Sequence, residues 1–557
     1  MPEYLSPGVY IQEIDSGPRP IEGVGTAMAA FVGFAPSGPA NRPCLVTNWS
    51  QYVETFGRLE DGGRRNPHMP GAYLSHAVYG YFLNGGGRCY VTRVTPDSKD
   101  DSTPTLQIPS KSTRAIPSLT VSAKGSPSQD IQVEVLPATK APTPAPTAPK
   151  VAASQETTPA SDGTTKAATP ETSSNGGAAS TDVATDELFT LRVHMGDVTE
   201  TYENVSLSTK RGVKTSVETV SQTSVLVTVL LAVATGTLAE RAPKVGSYIL
   251  KAPTAPALTQ VRSADLMGDV SERTGVQGLE VAEDVTMVCC PDLMAAYEAG
   301  VLDRDGIKAV QLAIINHCES MGDRIAILDP LPGLSPQEVK VWRESETNYD
   351  AKFAALYYPW IKVAGPDGRP LAVPPCGHIA GIYARNDNER GVHKAPANEV
   401  IRGALEAGAQ LTKGEQDTLN PIGVNCLRSF TGLGLRIWGA RTLSSDPAWR
   451  YVNVRRLFNY VEKSIEQGTQ WVVFEPNDPD LWARVKRDVE AFLTGAWRSG
   501  MLFGRTAAEA FFVKCDEELN PPDVRDRGQL FIDIGLAPVK PAEFVIFRLS
   551  QWAGGGA

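Results

Sequence analysis

The chain has 557 residues, 42% of them apolar, so roughly three or four domains of about 150 residues each can form with cores of their own. Lys and Arg number 53 against 63 Asp and Glu, and this net charge of −10 argues against nucleic-acid binding through bulk charge. The eight cysteines include no CxxC pair, which disfavours a disulfide framework or a zinc site and points to buried, reduced thiols.

The first residues, MPEYLSPGVYIQEID, lack the basic start and apolar core of a signal peptide, and the longest apolar stretch, near 225–234, is too short to cross a bilayer. The expectation is a chain made in the cytoplasm, with no membrane insertion. Val9-Tyr-Ile-Gln-Glu-Ile14 reads as a strand set apart by Pro7-Gly8 and Ser16-Gly-Pro-Arg-Pro20. Asn84-Gly-Gly-Gly-Arg88 joins Tyr81-Phe-Leu83 to the strand Cys89-Tyr-Val-Thr-Arg93 as a turn that needs positive φ, with anion binding by its amides as the other reading. Period-two alternation marks strands around 119–122, 130–136, 188–193 and 224–229. Between them, residues 138–186 are almost all Ala, Pro, Thr, Ser and Gly with scattered charge and cannot bury enough apolar surface to offset the entropy of ordering. This linker therefore reads as a long loop inside an inserted β domain, 100–250.

From Val281 the texture turns to α/β. Val285-Thr-Met-Val-Cys-Cys290 and Arg324-Ile-Ala-Ile-Leu328 read as buried strands around a helix with Ile307, Val310, Ile314, His317 and Met321 on one face. Leu457, Phe458, Val461 and Ile465 mark a helix closed by Gly468, and Trp471-Val-Val-Phe474 reads as a strand. Asp478-Pro479 opens a further helix with Leu481, Trp482, Val485, Val489, Phe492 and Leu493 on its apolar face and Arg484, Lys486, Arg487 and Asp488 mostly on the other. Last, Phe544-Val-Ile-Phe-Arg-Leu549 is a strand apolar on both pleat faces until Arg548. The two terminal strands fit either docking on their own sheet or exchange with neighbouring chains.

Chemistry is sparse. No phosphate loop, dinucleotide turn, HExxH helix or GxSxG elbow occurs. Cys376, His378, Asp387 and His393 form the most enzyme-like cluster, but their spacing defines no tetrahedral set, and a buried residue at a helix start explains Cys376 equally. Strand alternation sends Cys289 and Cys290 to opposite faces. Arg441, Arg450, Arg455 and Arg456 sit among aromatics and acids, which suits an ion-paired or subunit-contacting surface better than a nucleic-acid site.

Pro375-Cys-Gly-His-Ile-Ala-Gly-Ile-Tyr-Ala-Arg385 with Glu389-Arg-Gly-Val-His-Lys-Ala-Pro-Ala-Asn398 resembles the central signature of contractile tail sheath proteins. Leu419-Asn-Pro-Ile-Gly-Val-Asn425, Arg436-Ile-Trp-Gly-Ala-Arg-Thr-Leu443, Trp449-Arg-Tyr-Val-Asn-Val-Arg-Arg-Leu457, Glu509-Ala-Phe-Phe-Val-Lys-Cys-Asp516 and Pro541-Ala-Glu-Phe-Val545 follow in the same order, and Tyr4-Leu-Ser-Pro-Gly-Val-Tyr10 is similar to the family's beginning. His393 stands where a bulkier aromatic is expected, and the linker has no counterpart.

The resemblance implies an α/β (α+β) chain. Its parts would be an N-terminal linking arm, 1–20, a first part of the core, 21–99, the outward β insertion, an α/β domain, 251–400, a C-terminal core domain of mixed sheet, 401–540, and a C-terminal linking arm, 541–557. It implies subunits stacked as hexameric rings in a helical assembly around an inner tube protein, with baseplate and terminal cap proteins as further partners, in a phage tail or a tail-like particle assembled in the cytoplasm. Strand exchange would then run through Val9, Tyr10, Ile11 and Ile14 and through Phe544, Val545, Ile546, Phe547 and Leu549. Arg484, Lys486, Arg487 and Asp488 are the candidate tube contact. No catalytic residue, metal, cofactor or nucleotide hydrolysis is implied. An α/β hydrolase or metal enzyme using Cys376 and His393, and a non-contractile tail or baseplate component, remain the alternatives.

Overall fold

The structure is a computed structural model that describes residues 21–60, 64–95, 104–112, 116–124, 129–138, 188–196, 198–208, 215–232, 237–251 and 261–548. Val9, Tyr10, Ile11, Ile14, Leu549 and all but the first residue of 138–186 lie outside them. The chain forms two compact units, one of residues 59–64 and 102–253, the other of the remaining residues.

The larger unit is organised by one eight-stranded sheet. Its strands are Ala29–Gly33 (β1), Cys44–Val46 (β2), Cys89–Arg93 (β3), Met287–Cys289 (β4), Ile325–Leu328 (β5), Ala354–Tyr358 (β6), Val424–Phe430 (β7) and Gly434–Trp438 (β8). They lie in the order β2-β3-β1-β4-β5-β6-β7-β8. Every pairing from β3 to β7 is parallel, and β2 and β8 close the two edges antiparallel. β1, β5 and β6 are uninterrupted apolar runs buried along their whole length, as parallel strands covered on both faces require.

Helices Leu74–Leu83 (α1), Arg304–Met321 (α2) and Cys376–Arg390 (α3) belong to this layer. α2 starts where the Asp303 carboxylate accepts the Gly306 N–H and stops at Gly322 in the left-handed region. Ile307, Val310 and Ile314 are buried as their spacing predicts, with His317 and Met321 half-buried at the margin of that face. Gly85 adopts φ +115 in the turn from α1 to β3, so the positive φ expected there is present.

The boundary expected at 400 does not separate two cores, because β7 and β8 complete the large sheet and its core runs on to Val452. A second core in the same unit joins Ile21, Val392 and residues from Leu457 to Cys515. It packs helices Val452–Gly468 (α4) and Pro479–Arg498 (α5) with the two-stranded ribbon of Phe511–Lys514 and Asp533–Leu536.

Two expected strands are absent from the described residues. Gln470–Val472 is a short 3-10 helix, and Val473 and Phe474 face solvent, with Phe474 at φ +69. This apolar run has no sheet edge to extend, so it turns before the Asp478 cap of α5. Residues 541–548 are likewise in no strand, and Phe544, Val545, Ile546 and Phe547 are 69% to 83% exposed. A single strand without a partner gains no ladder hydrogen bonds.

Both sheets of the smaller unit are antiparallel. One sheet orders Val198–Ser206, Leu188–Met195, Ile131–Pro137 and Gly246–Leu250; the other orders Val227–Leu231, Pro117–Ala123 and Thr105–Pro109. Ile131, Val133 and Val135 alternate into its core opposite Leu191 and Val193.

Candidate functional site

The enzyme-like cluster of the sequence is a packing device. Glycines at 377 and 381 stand one turn apart on α3, where a Cβ would lie 2.3 Å from the Ala77 carbonyl oxygen and 2.4 Å from that of Tyr81. Their absent side chains let the backbones of α1 and α3 touch, which is what the Cys376-Gly-His-Ile-Ala-Gly381 spacing provides. Cys376 is fully buried at the start of α3, its N–H donating to Asp329 at 3.0 Å, and desolvation pushes its thiol far up. Asp329 beyond β5 and Asp292 beyond β4 are buried carboxylates that burial pushes up to about 7. Asp292 accepts N–H groups of Phe34, Tyr73 and Leu74, so α1 and α3 both begin on a buried carboxylate. Cys289 and Cys290 are buried, and all eight cysteines are unpaired.

His378 lies flat over Gly80 and belongs to a group with His76 and His68, whose rings stack 4.6 Å apart. Burial lowers all three, His378 and His76 to about 4, and neither of these two faces a carboxylate partner. A histidine held below its unfolded value of 6.5 contributes stability that is present above pH 6.5 and lost as pH falls toward 4. His378 alone should account for about 3 kcal/mol of lost stability between pH 7 and pH 4. Urea unfolding at a series of pH values should show a shallower acid slope for His378→Gln than for the unaltered chain; equal slopes would remove His378 as the cause. Among the described residues, no group of three or more His, Cys, Asp or Glu is arranged to hold a metal ion.

The four arginines resolve into separate tasks. Arg456 is buried on α4 and grips Asp387 of α3 through two nitrogens at 2.8 and 2.6 Å, while the Thr26 carbonyl and hydroxyl complete the set. Arg455 pairs with Glu462 at 3.0 Å and lies over the rings of Trp449 and Phe353. Arg450 is half-buried and accepts the Thr442 N–H through its carbonyl. Arg441 meets Glu543, the residue before the exposed apolar segment, with Nε and Nη2 at 2.8 and 2.7 Å from the two carboxylate oxygens. Sequence reasoning assigned these arginines to one surface; only the fold separates them.

On α5, Arg484, Lys486 and Arg487 are part-exposed and make weak pairs with Glu475, Glu490 and Asp488 at 3.5 to 3.9 Å. Such pairs are worth at most about 1 kcal/mol and leave the cations free to exchange partners. Asp488 is corrected: it is buried, because it follows Leu481 and Val485 at helical spacing on the core face. The exposed Phe474 was missed as a surface feature, since an apolar run reads as a strand until its neighbours are known.

Residues 283–443 match the phage tail sheath protein central domain and residues 444–551 the phage tail sheath C-terminal domain. The chain is 32% identical over 177 residues to the tail sheath protein of Vibrio phage KVP40, covering 31% of this chain and 26% of that one. It is 24% identical over 368 residues to the tail sheath protein of Escherichia phage P2, covering 63% of this chain and 83% of that protein. The fold is similar to the anti-feeding prophage helical sheath in the contracted state, at 22% identity, TM-score 0.54 and coverage of 98% and 99% of the two chains. It is also similar to the PVC sheath complex of an extracellular contractile injection system in the contracted state, at 21% identity, TM-score 0.51 and 99% of both chains.

Proposed function

Residues 283–551 make this chain a member of the phage tail sheath protein family, and we propose from that membership that it is the structural subunit of a contractile sheath. Subunits stack as hexameric rings in a helical lattice around an inner tube, in a phage tail or tail-like particle with a baseplate and a terminal cap. The observation that carries the reading is Phe544-Val-Ile-Phe547: four large apolar side chains in a row, exposed and in no strand, immediately after an anchored Glu543. A segment apolar on both faces gains stability only when another chain covers it. The N-terminal strand around Val9, Tyr10, Ile11 and Ile14 is the second linking arm.

Contraction in this scheme uses no nucleotide. The extended lattice is a metastable packing, release at the baseplate lets each subunit reach better contacts, and the difference sums over many copies. Arms that stay joined hold the rings together while the subunits rotate. The basic face of α5 with Arg484, Lys486 and Arg487 is the proposed tube contact, and the β unit faces outward. The hydrolase alternative has no supporting observation, since Cys376 opens a helix in the core with its thiol held protonated.

Electron microscopy of the expressed chain, alone and with its tube and baseplate partners, tests the reading. Regular tubes are expected, with shortened and widened forms on triggering. A monodisperse monomer under every assembly condition would overturn it; tubes that never shorten would favour a non-contractile tail component.

A further inference from the structure

Four of the sequence stretches read as family-like meet at one carboxylate. Glu543 receives Arg441 through two hydrogen bonds, the Asn420 side chain amide at 2.8 Å and the Tyr451 hydroxyl at 3.0 Å. Arg441 is itself held: its Nη1 donates to the Asn420 carbonyl at 3.2 Å, and fully buried Asn425 on β7 accepts its N–H and donates to its carbonyl at 2.7 and 2.8 Å. Burial by itself would raise the Glu543 carboxyl, but hydrogen bonds from Arg441 and Asn420 hold it below its ordinary value. The chain reaching this point is tied down at Ala537, whose N–H donates to Ala510 and whose carbonyl accepts from Phe503. Val539 is tied as well, its carbonyl accepting from the Asn453 side chain. The exposed apolar segment starts at the next residue after Glu543.

We propose that Glu543 is a positioning residue, the pin that fixes where and in which direction the C-terminal arm leaves the subunit toward a second copy of this chain. The inference rests on the sheath reading and adds the residue that sets the arm's geometry. A bidentate arginine and two further donors define both the position and the plane of one carboxylate, which no single contact does. An arm that leaves from a fixed root searches a small volume for its acceptor sheet, and the entropy of joining falls accordingly. Motion between neighbouring subunits is then taken up beyond 543, where the described residues 544–548 form no strand. Because 544 and 546 face one way and 545 and 547 the other, the arm enters its acceptor as a strand covered by apolar surface on both faces.

The test compares the full chain with Glu543→Ala and with a truncation lacking 544–557. Polymerisation is followed by light scattering and electron microscopy, and amide hydrogen exchange is followed by mass spectrometry. Glu543→Ala should slow polymerisation at least tenfold and raise exchange only around 537–548. If the truncation fails to assemble while Glu543→Ala assembles at the normal rate, the pin is wrong and the sheath reading stands. If the truncation assembles normally, the arm reading fails and the pin with it. Should Glu543→Ala loosen the whole unit, Tyr451→Phe decides, since it removes one hydrogen bond and little packing: assembly slowed several-fold supports the pin, and an unchanged rate overturns it.

Discussion

Removing residues 544–557 is expected to leave a folded, monomeric subunit that forms no tubes. The described part of the segment, 544–548, belongs to neither core of the larger unit: Phe544 to Phe547 are exposed, and the second core ends its chain with the ribbon strand Asp533–Leu536 and the residues packed beside it. Thermal unfolding should therefore change little. Assembly should change completely, because burying four large apolar side chains supplies roughly 6–12 kcal/mol per joint before ordering costs, and the joint repeats through the lattice. Sedimentation velocity and electron microscopy of the truncated chain read both effects. Tubes of normal order from the truncated chain would remove the C-terminal arm from the mechanism.

The second large effect lies inside the subunit. Arg456→Ala should cost about 3–5 kcal/mol, because Asp387 would remain buried without its cation. Both side chains are only 3% exposed, so water cannot take over the lost bonds. Burial alone would lower the Arg456 guanidinium, and Asp387 offsets this. Replacing both residues by apolar ones, Arg456→Met with Asp387→Leu, should recover part of the loss, since an apolar pair leaves no orphaned charge. Chemical denaturation of the three chains measures this. A double variant no more stable than Arg456→Ala would show that the pair's value is not the compensation of a buried charge. The pair joins the 24–28 segment, α3 and α4, so its loss should also loosen the seat of the N-terminal segment.

The regular elements were legible where a local pattern is decisive. The alternation in Ile131–Pro137 and Leu188–Met195, the capped start of α5 at Asp478 and the fully apolar β5 all follow from period and cap chemistry. Trp471-Val-Val-Phe474 shows where this stops. Its composition suits a strand, but a strand exists only with a neighbour to bond to, and nothing local says whether one is present. Asp488 shows a second limit, since a charged residue directly after Lys486 and Arg487 reads as part of their polar face although helical spacing places it among Leu481, Val485 and Val489.

By itself the sequence determined an acidic α/β chain with a β insertion, two apolar runs near its ends that prolines set apart, and no common catalytic motif, because composition, period and turn chemistry are local properties. It also carried the ordered signatures by which the family is recognised. Only the tertiary structure decided what those signatures do. Residues 377 and 381 are glycine because two helix backbones meet there, and Asn420, Asn425, Arg441, Tyr451 and Glu543 converge although 123 positions separate Asn420 from Glu543. Close approach and charge compensation depend on distances between elements remote in sequence, and those distances exist only once the sheet has brought the elements together.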